Sequence, residues 1–140
     1  MTDPVRILIL DCNRYRALLI ERIVSEIVSS SMVARFSSGA EVVRELLATH
    51  YDIAILSLEG IERPYDLVQA IRLARQDVKL VVAGLPEMPK RVVTAIEALV
   101  DSYSSWGTDP GTPIPAPVYR AIEAACEVSH EVVDEARVIS

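Results

Sequence analysis

Runs of apolar residues separated by polar stretches divide the chain into its first predicted elements. The strongest runs are continuous and rich in branched side chains, which is typical of strands covered on both faces. One further run is shorter and weaker, and another roughly alternates between apolar and polar positions. In chain order, the predicted strands span residues 5–10, 31–37, 52–56, 78–84 and 99–105.

Between the strands, apolar residues recur with a period near 3.6, which predicts amphipathic helices. Ser38 and Glu41 are spaced as a capping box at the start of one helix, and Pro64 suits the first turn of the next. The predicted helices span residues 13–29, 38–48, 64–74, 89–98 and about 116–138. Alternating strands and helices need crossover connections, so the fold class is α/β, a five-stranded parallel sheet in a three-layer α/β/α sandwich.

Size and composition fit one domain and exclude several classes of function. The 140 residues suit a single domain spanning 1–140, whose last helix extends beyond the core. The hydrophobic content of 51% is too high for a disordered chain. The net charge of −6 argues against a nucleic-acid-binding surface in this domain. No apolar run is long enough to cross a membrane, and no signal peptide or CxxC pair is evident, so we expect a cytoplasmic protein.

The carboxyl ends of the strands are where a site is expected, because parallel sheets place their binding residues beyond those ends. The residues at these ends are Asp11, Cys12 and Asn13; Ser57, Leu58 and Glu59; Ala83 and Gly84; and Ser105 and Trp106. No Cys and His spacing typical of a metal site is present, and no cofactor is predicted.

Four segments, in this order, resemble the receiver domains of two-component response regulators. RILILDCNRYRALLIERIV is similar to the family's opening strand, acidic turn and first helix, and YDIAILSLEG lies where the third strand delivers the phospho-accepting aspartate. VKLVVAGLPE and LVDSYSSWG resemble the fourth and fifth strands. The resemblance covers most of the chain and implies a flavodoxin-like sheet with strand order 2-1-3-4-5.

The resemblance also implies which side chains would perform the family's chemistry. Two adjacent acids hold Mg²⁺, an aspartate is phosphorylated, a Thr or Ser ends the fourth strand, and a Lys ends the fifth. These groups act together, since a carboxylate that attacks a phosphoryl group needs a cation and donors to offset the gathering negative charge. Here the first acid is retained as Asp11, and the other positions hold Cys12, Ser57, Ala83 and Trp106. With Glu59, these residues are expected to form a degenerate phosphorylation site that has no catalytic residue.

Ser57 and Glu59 each allow two interpretations. Ser57 could be an alternative phospho-acceptor, but no Ser/His/Lys arrangement is evident, so a small polar residue that ends a strand is favoured. Glu59 could swing into the vacated pocket and imitate a permanent phosphate. The favoured interpretation is a solvated loop acid beside Arg63.

Three further residues of the site also allow two interpretations each. Asp11 could hold a weak cation with Asn13, but backbone hydrogen bonding at the start of the first helix is favoured. Cys12 lies near a helix N-terminus, which lowers a thiol pKa and suggests a redox role; a small filler in a non-functional site is favoured. Trp106 could be an exposed anchor for a partner or a cover over the pocket.

The last helix and its neighbours are the predicted contact surface. Apolar residues recur along the helix, and those beyond about residue 128 need a partner other than the sheet, such as a second copy of the chain or an output domain. The predicted contact residues are Tyr103, Trp106, Tyr119, Val132 and Ile139.

We therefore expect a pseudo-receiver that is not an enzyme, a phosphorylation-independent module of signalling or transcription regulation that acts through protein contacts. It would bind neither nucleic acid nor a membrane itself, and it could form a homodimer through the last helix. One alternative is a small-molecule or redox sensor that uses the altered pocket around Asp11, Cys12, Ser57 and Glu59. The other is the N-terminal regulatory domain of a DNA-binding response regulator.

Overall fold

Strands and helices alternate in the computed structural model, which describes residues 3–107 and 113–139, with their side chains as far as Glu127. The strands are β1 (Val5–Leu10), β2 (Ser31–Phe36), β3 (Ile53–Ser57), β4 (Lys79–Gly84) and β5 (Ser102–Ser105). The helices are α1 (Arg14–Ile27), α2 (Gly39–Ala48), α3 (Pro64–Ala74), α4 (Lys90–Glu97) and α5 (Ala116–Ile139). Each strand and helix predicted from the sequence is present.

The five strands form one parallel sheet in the order β2-β1-β3-β4-β5. This confirms the α/β class and the strand order that the receiver resemblance implies. In the register, Leu10 of β1 pairs with Leu56 of β3, and Ser57 pairs with Ala83 of β4. The carboxyl ends of the central strands therefore lie level at one edge of the sheet, and the residues that follow them are neighbours.

Two hydrophobic cores lie on opposite faces of the sheet, because successive side chains of a strand point to opposite faces. Ile7 and Ile9 of β1 belong to the core under α1 and α5, whereas Leu8 and Leu10 belong to the core under α2, α3 and α4. All four are buried. Burial on both faces explains why the central strands read as continuous apolar runs.

The start of α1 is fixed by a side-chain cap. Asn13 precedes the helix with an extended backbone, and its side-chain oxygen accepts the Arg16 N–H at 3.0 Å, which satisfies one of the free donors of the first turn. Ser38 holds the same position before α2 but makes no side-chain cap hydrogen bond, so the predicted capping box does not form. Pro64 begins α3, as predicted.

Helix α5 begins by packing on the sheet. Val118 and Ile122 are buried in the core shared with α1, and the helix continues to Ile139. The side chains of Val132 and Ile139 lie outside the described residues, so their role in a partner contact stays a prediction. Across the described ranges, no helix has the length and apolarity that crossing a membrane requires.

Candidate functional site

Side chains from the ends of four strands meet at the carboxyl edge of the sheet. Asp11 follows β1, Ser57 ends β3, Ala83 lies near the end of β4, and Trp106 follows β5. None of the four is more than 5% exposed. The structure thus brings together the strand-end positions that the sequence singles out.

The centre of this site is Arg16 of α1, a residue that no sequence pattern singled out. Its guanidinium donates from Nε to Asp11 Oδ2 at 2.6 Å and from Nη2 to Asp11 Oδ1 at 2.8 Å. Nη2 also donates to Ser57 Oγ at 3.0 Å and to the Glu59 carboxylate. One side chain therefore joins the segments that follow β1 and β3. We call this group of side chains the Arg16 cluster; it consists of Asp11, Arg16, Ser57, Glu59 and Trp106.

The guanidinium of Arg16 keeps its charge in this partly buried position. Burial acts to lower the pKa of Arg16, but the hydrogen bonds to Asp11 and Glu59 outweigh it and raise this pKa above its ordinary value. The site therefore contains a permanent cation that belongs to the chain itself.

Trp106 covers the pocket from the side of β5. Its Nε1–H donates to Ser57 Oγ at 2.9 Å, and the guanidinium carbon of Arg16 lies 4.2 Å from the ring centroid, which is cation–π distance. Its backbone N–H donates to the Gly84 carbonyl at 2.8 Å, which extends the pairing of β4 and β5. The interpretation of Trp106 as an exposed contact residue is therefore wrong, because these bonds hold the ring inside the site.

The hydroxyl oxygen of Ser57 is an acceptor in both of its side-chain hydrogen bonds, one from Arg16 and one from Trp106. Among the side chains that the structure describes, none takes the hydroxyl proton of Ser57 in a hydrogen bond. A serine nucleophile needs a neighbouring base for that proton. The arrangement therefore suits a buried polar link between strands.

Both carboxylate oxygens of Asp11 have partners. Oδ1 accepts the Asn13 N–H at 2.8 Å as well as Arg16 Nη2, and Oδ2 accepts Arg16 Nε. The side chain is fully buried, and a buried carboxylate requires such partners to offset the loss of water. Hydrogen bonding at the start of the first helix, one of the two roles considered for Asp11, is present in the structure.

Glu59 lies at the mouth of the site. Its side chain is 42% exposed, while that of Arg16 is 13% exposed. The carboxylate pairs with Arg16, whereas the sequence interpretation placed Glu59 beside Arg63. The acid therefore faces the pocket, but it reaches Ser57 only through the guanidinium.

Cys12 is exposed beside the cluster. Partial burial of the sulfur, and then the charges of Glu59 and Asp11, raise the thiol pKa, while Arg16 acts to lower it. The lowered pKa expected from the helix N-terminus is therefore wrong, because partial burial of the sulfur and then the two carboxylates act in the opposite direction. The turn after β3 passes close by: Gly60 has a φ of +77°, and a Cβ there would lie 3.2 Å from Cys12 Sγ.

The site does not fit the magnesium ion that the receiver resemblance implies. Ligand atoms of Asp11, Cys12 and Glu59 lie within 4.8 Å of one another. However, a thiol is a poor ligand for Mg²⁺, which prefers hard oxygen atoms. Both carboxylates also bond to Arg16, so a divalent cation between them would meet the guanidinium.

The other predicted site and contact residues, Ala83, Tyr103 and Tyr119, differ in how far they are buried. Ala83 is buried and brings no donor to the site. Tyr103 is half-buried, and its hydroxyl lies 3.8 Å from Met88 Sδ and so close to Gly84 that a Cβ there would overlap it. Only the exposed part of the Tyr103 side chain could therefore contact a protein partner. Tyr119 on α5 is 37% exposed and accessible.

The position of Arg16 in the first turn of α1 is a sequence feature that could have pointed to its role in the site. A cation three residues after the Asn13 cap lies near the positive end of the helix dipole, which is unfavourable unless an acid is close. Asp11, two residues before the cap, is the acid nearest to the start of the helix in the sequence. This reasoning could have predicted the Arg16–Asp11 pair, but not the bonds to Ser57 and Glu59.

The sequence matches no protein-family model and no curated protein, but solved structures share its fold. A CheY-like response regulator receiver domain protein from Methanospirillum hungatei aligns with a TM-score of 0.69 and 14% identity, over 99% of this chain and 100% of that chain. A response regulator from Burkholderia pseudomallei, solved with a phosphorylated aspartic acid, a calcium ion and citrate, gives 0.62 and 17%, over 91% and 74%. A pilus assembly-related protein from the same species gives 0.64 and 15%, over 89% and 87%.

These likenesses establish a receiver-type fold. The identities of 14% to 17% leave the chemistry to be argued from this chain's own residues. The Burkholderia response regulator carries a phosphorylated aspartate, whereas β3 of this chain ends in Ser57.

Proposed function

We propose that this chain is a pseudo-receiver, a receiver-type module of two-component-type signal transduction or transcription regulation that acts through protein contacts and without aspartyl phosphorylation. The observation that carries the proposal is the Ser57 hydroxyl, which ends β3 and accepts hydrogen bonds from Arg16 and Trp106. The module works in the cytoplasm and contacts neither nucleic acid nor a membrane itself.

Several features of the site oppose phosphoryl transfer to Ser57. The hydroxyl is buried, and no described side chain acts as its base. The carboxylates that could hold a divalent cation are bonded to Arg16, although such a cation offsets the charge of a transferring phosphoryl group. Ala83 and Trp106 supply neither the hydroxyl nor the flexible cation that the receiver chemistry uses.

Exposed apolar side chains support the protein-contact part of the proposal. Large apolar residues are exposed on several helices: Tyr15 and Leu18 of α1, Leu47 of α2, Leu73 of α3 and Tyr119 of α5. Tyr119 lies on the helix that the sequence assigned to contacts. It replaces the buried Trp106 as the first residue to test.

Incubation with acetyl phosphate and Mg²⁺ tests the loss of phosphorylation. Intact-mass spectrometry should show no adduct on the wild-type chain, while a typical response regulator receiver domain treated in parallel gains a phosphoryl group. The Ser57→Asp variant should also stay unmodified, because Arg16 would pair with the new carboxylate and Ala83 still provides no hydroxyl. A stable phospho-adduct on Ser57 of the wild-type chain would overturn the proposal.

Affinity capture from lysate of the source cells tests the contact role. The Tyr119→Ala variant should lose the captured partner, whereas Leu73→Ala, a truncation of a more exposed apolar residue on α3, should keep it. Sedimentation of the wild-type chain tests the homodimer at the same time. Capture of no partner, together with a strictly monomeric chain, would remove the support for a contact module.

A small-molecule sensor is a second candidate, favoured by an open groove beside the Arg16 cluster. The groove has a volume of about 430 Å³ and is lined in part by Cys12, Arg14, Arg35, Phe36 and Ser37. Asp11 and Glu21 also line the groove, and Glu21 pairs with Arg35 at 3.0 Å, so the mixed charges suit a small ligand that carries both a negative and a positive group. Metabolite-induced changes in thermal stability, lost in Arg35→Ala, would favour this candidate over the contact module.

A further inference from the structure

The Arg16 cluster contains its own cation at the place where three side chains with potential metal-ligand atoms converge. The ligand atoms of Asp11, Cys12 and Glu59 lie within 4.8 Å of one another, and the guanidinium of Arg16 bonds to both carboxylates. We propose that Arg16 is a built-in replacement for a divalent cation and closes a latent cation site formed by the carboxylates of Asp11 and Glu59. This inference rests on the proposed function, because a module without phosphoryl transfer needs no exchangeable metal.

The charges of the cluster explain why a cation is needed there. Asp11 is fully buried, and an ionised carboxylate out of water requires a compensating charge. Arg16 meets both oxygens of Asp11, and a guanidinium binds a carboxylate in this two-pronged way better than a point charge does. Glu59 adds a second negative charge at the mouth, so removal of Arg16 would leave two close carboxylates without a compensating cation.

The position of Arg16 is fixed from several sides. Its backbone N–H is held by the Asn13 cap at 3.0 Å, and its guanidinium lies over the Trp106 ring at 4.2 Å. Its Nη2 also bonds to Ser57 Oγ, which Trp106 Nε1 holds from the other side. A free ion must lose bound water before it can enter, and Mg²⁺ does so reluctantly. The tethered guanidinium should therefore exclude the ion.

One consequence concerns regulation of the carboxyl edge. In a site that uses an exchangeable ion, the arrangement of the strand ends depends on the concentration of that ion. With Arg16 in place, the buried carboxylate of Asp11 has a cationic partner at every Mg²⁺ concentration. The surface around α1 and β5 is then presented in one arrangement, which suits a partner contact that does not depend on phosphorylation or metal.

Terbium luminescence can test the latent site directly, because Trp106 is the only tryptophan of the chain. Tb³⁺ is a hard cation that carboxylate oxygens bind, and an ion in the place of the Arg16 guanidinium would be close enough to the indole for energy transfer. The variants are Arg16→Ala and the matched control Arg14→Ala, which removes an exposed arginine from the same turn. Both variants change the net charge by the same amount.

The expected result is saturable Tb³⁺ emission in Arg16→Ala, excited through Trp106 and displaced by Mg²⁺. The affinity of this variant for Mg²⁺ should exceed that of the wild type and of Arg14→Ala by at least about tenfold, which corresponds to about 1.4 kcal/mol. Addition of Asp11→Asn to Arg16→Ala should abolish the emission. Equal emission from Arg16→Ala and Arg14→Ala would overturn the inference.

The test does not depend on one variant folding. If circular dichroism shows that Arg16→Ala is unfolded, Arg16→Gln takes its place, since the amide can still donate to Ser57. The wild-type titration also decides independently: saturable Tb³⁺ emission that Mg²⁺ displaces would show that Arg16 does not close the site. Cation binding by the wild-type chain would contradict only this inference, whereas a phospho-adduct on Ser57 would contradict the proposed function.

Discussion

Two arginine clusters hold opposite ends of the sheet, and they differ in what the arginine binds. Arg16 lies at the carboxyl edge and binds side chains, namely the carboxylates of Asp11 and Glu59 and the hydroxyl of Ser57. Arg72 of α3 lies at the amino ends of β4 and β5. It donates mainly to backbone carbonyls, of Leu99 and Val78 at 2.8 Å and of Gln76 at 3.1 Å, and to the Asp101 carboxylate at 3.2 Å.

The two arginines are similarly covered, since their side chains are 13% and 20% exposed. Their removal would nevertheless leave different groups behind. Loss of Arg72 leaves neutral carbonyls and Asp101, which is 47% exposed and accessible to water. Loss of Arg16 leaves the fully buried carboxylate of Asp11. Similar hydrogen-bond geometry can therefore serve a structural link in one place and charge compensation in another.

The largest expected effect is that of Arg16→Ala on stability. Removal of one partner from a buried ion pair costs about 3 kcal/mol or more, because the other charge stays buried and uncompensated. Urea unfolding in metal-free buffer should show this loss in the free energy of unfolding. Asp11→Asn in the same chain should recover part of the loss, since it removes the stranded charge.

Arg14→Ala is the control for that measurement, and it should change stability by less than about 0.5 kcal/mol, as surface substitutions usually do. If Arg16→Ala were no more destabilised than Arg14→Ala, the buried pair would contribute nothing and the comparison between the two clusters would fail.

Arg72→Ala should have the next largest effect, a loss of about 2 kcal/mol, because several carbonyl hydrogen bonds are exchanged for bonds to water. Arg72→Lys should recover only part of it, since an ammonium group cannot reproduce the planar set of donors. The same urea experiment measures both variants. A greater loss in Arg72→Ala than in Arg16→Ala would mean that the carbonyl hydrogen bonds of Arg72 contribute more to stability than the buried ion pair of Arg16.

Trp106→Phe should have a smaller effect. The ring volume is largely kept, but the Nε1–H bond to Ser57 is lost, which costs about 1 kcal/mol. In a Ser57→Ala background the same substitution should cost less, because the hydroxyl partner is already absent. A double-mutant cycle on the free energy of unfolding checks this; additive losses would mean that the bond between Trp106 and Ser57 contributes no coupling.

The elements of the fold were predictable because they depend on burial, which leaves a pattern in the sequence. β1 and β3 are covered on both faces, and so they appear as continuous apolar runs. The meeting of Asp11, Ser57 and Trp106 followed from the same reasoning, since parallel strands end at one edge.

The contacts of the two arginines were not predictable in this way. The partners of Arg16 lie 5, 41 and 43 residues away in the sequence, and its side-chain direction is set only in the folded chain. Most partners of Arg72 are backbone carbonyls, which every residue has and no pattern marks. The burial of Trp106 was undecided for a related reason, because a lone tryptophan after a strand suits an exposed anchor and a buried cover equally well.

The smallest expected effect is on the reactivity of Cys12, whose thiol responds to the charges of the Arg16 cluster. Because partial burial and then the charges of Glu59 and Asp11 raise its pKa, while Arg16 acts to lower it, less of the thiol is ionised at neutral pH than in a free cysteine. Glu59→Gln should lower this pKa and speed alkylation by iodoacetamide, while Arg16→Ala should raise it and slow alkylation. Each change should stay below about tenfold, which corresponds to one pKa unit.

Arg72→Ala is the matched control for that measurement, because it removes the same charge at the opposite end of the sheet. Peptide mapping by mass spectrometry separates Cys12 from Cys126, whose burial raises the pKa of its thiol to about 11 and which should react much more slowly. Alkylation of Cys12 that changed as much in Arg72→Ala as in Arg16→Ala would mean that the variants act through loosening of the fold. An effect confined to the variants of the Arg16 cluster would mean that the thiol senses the local field of the guanidinium and its two carboxylates.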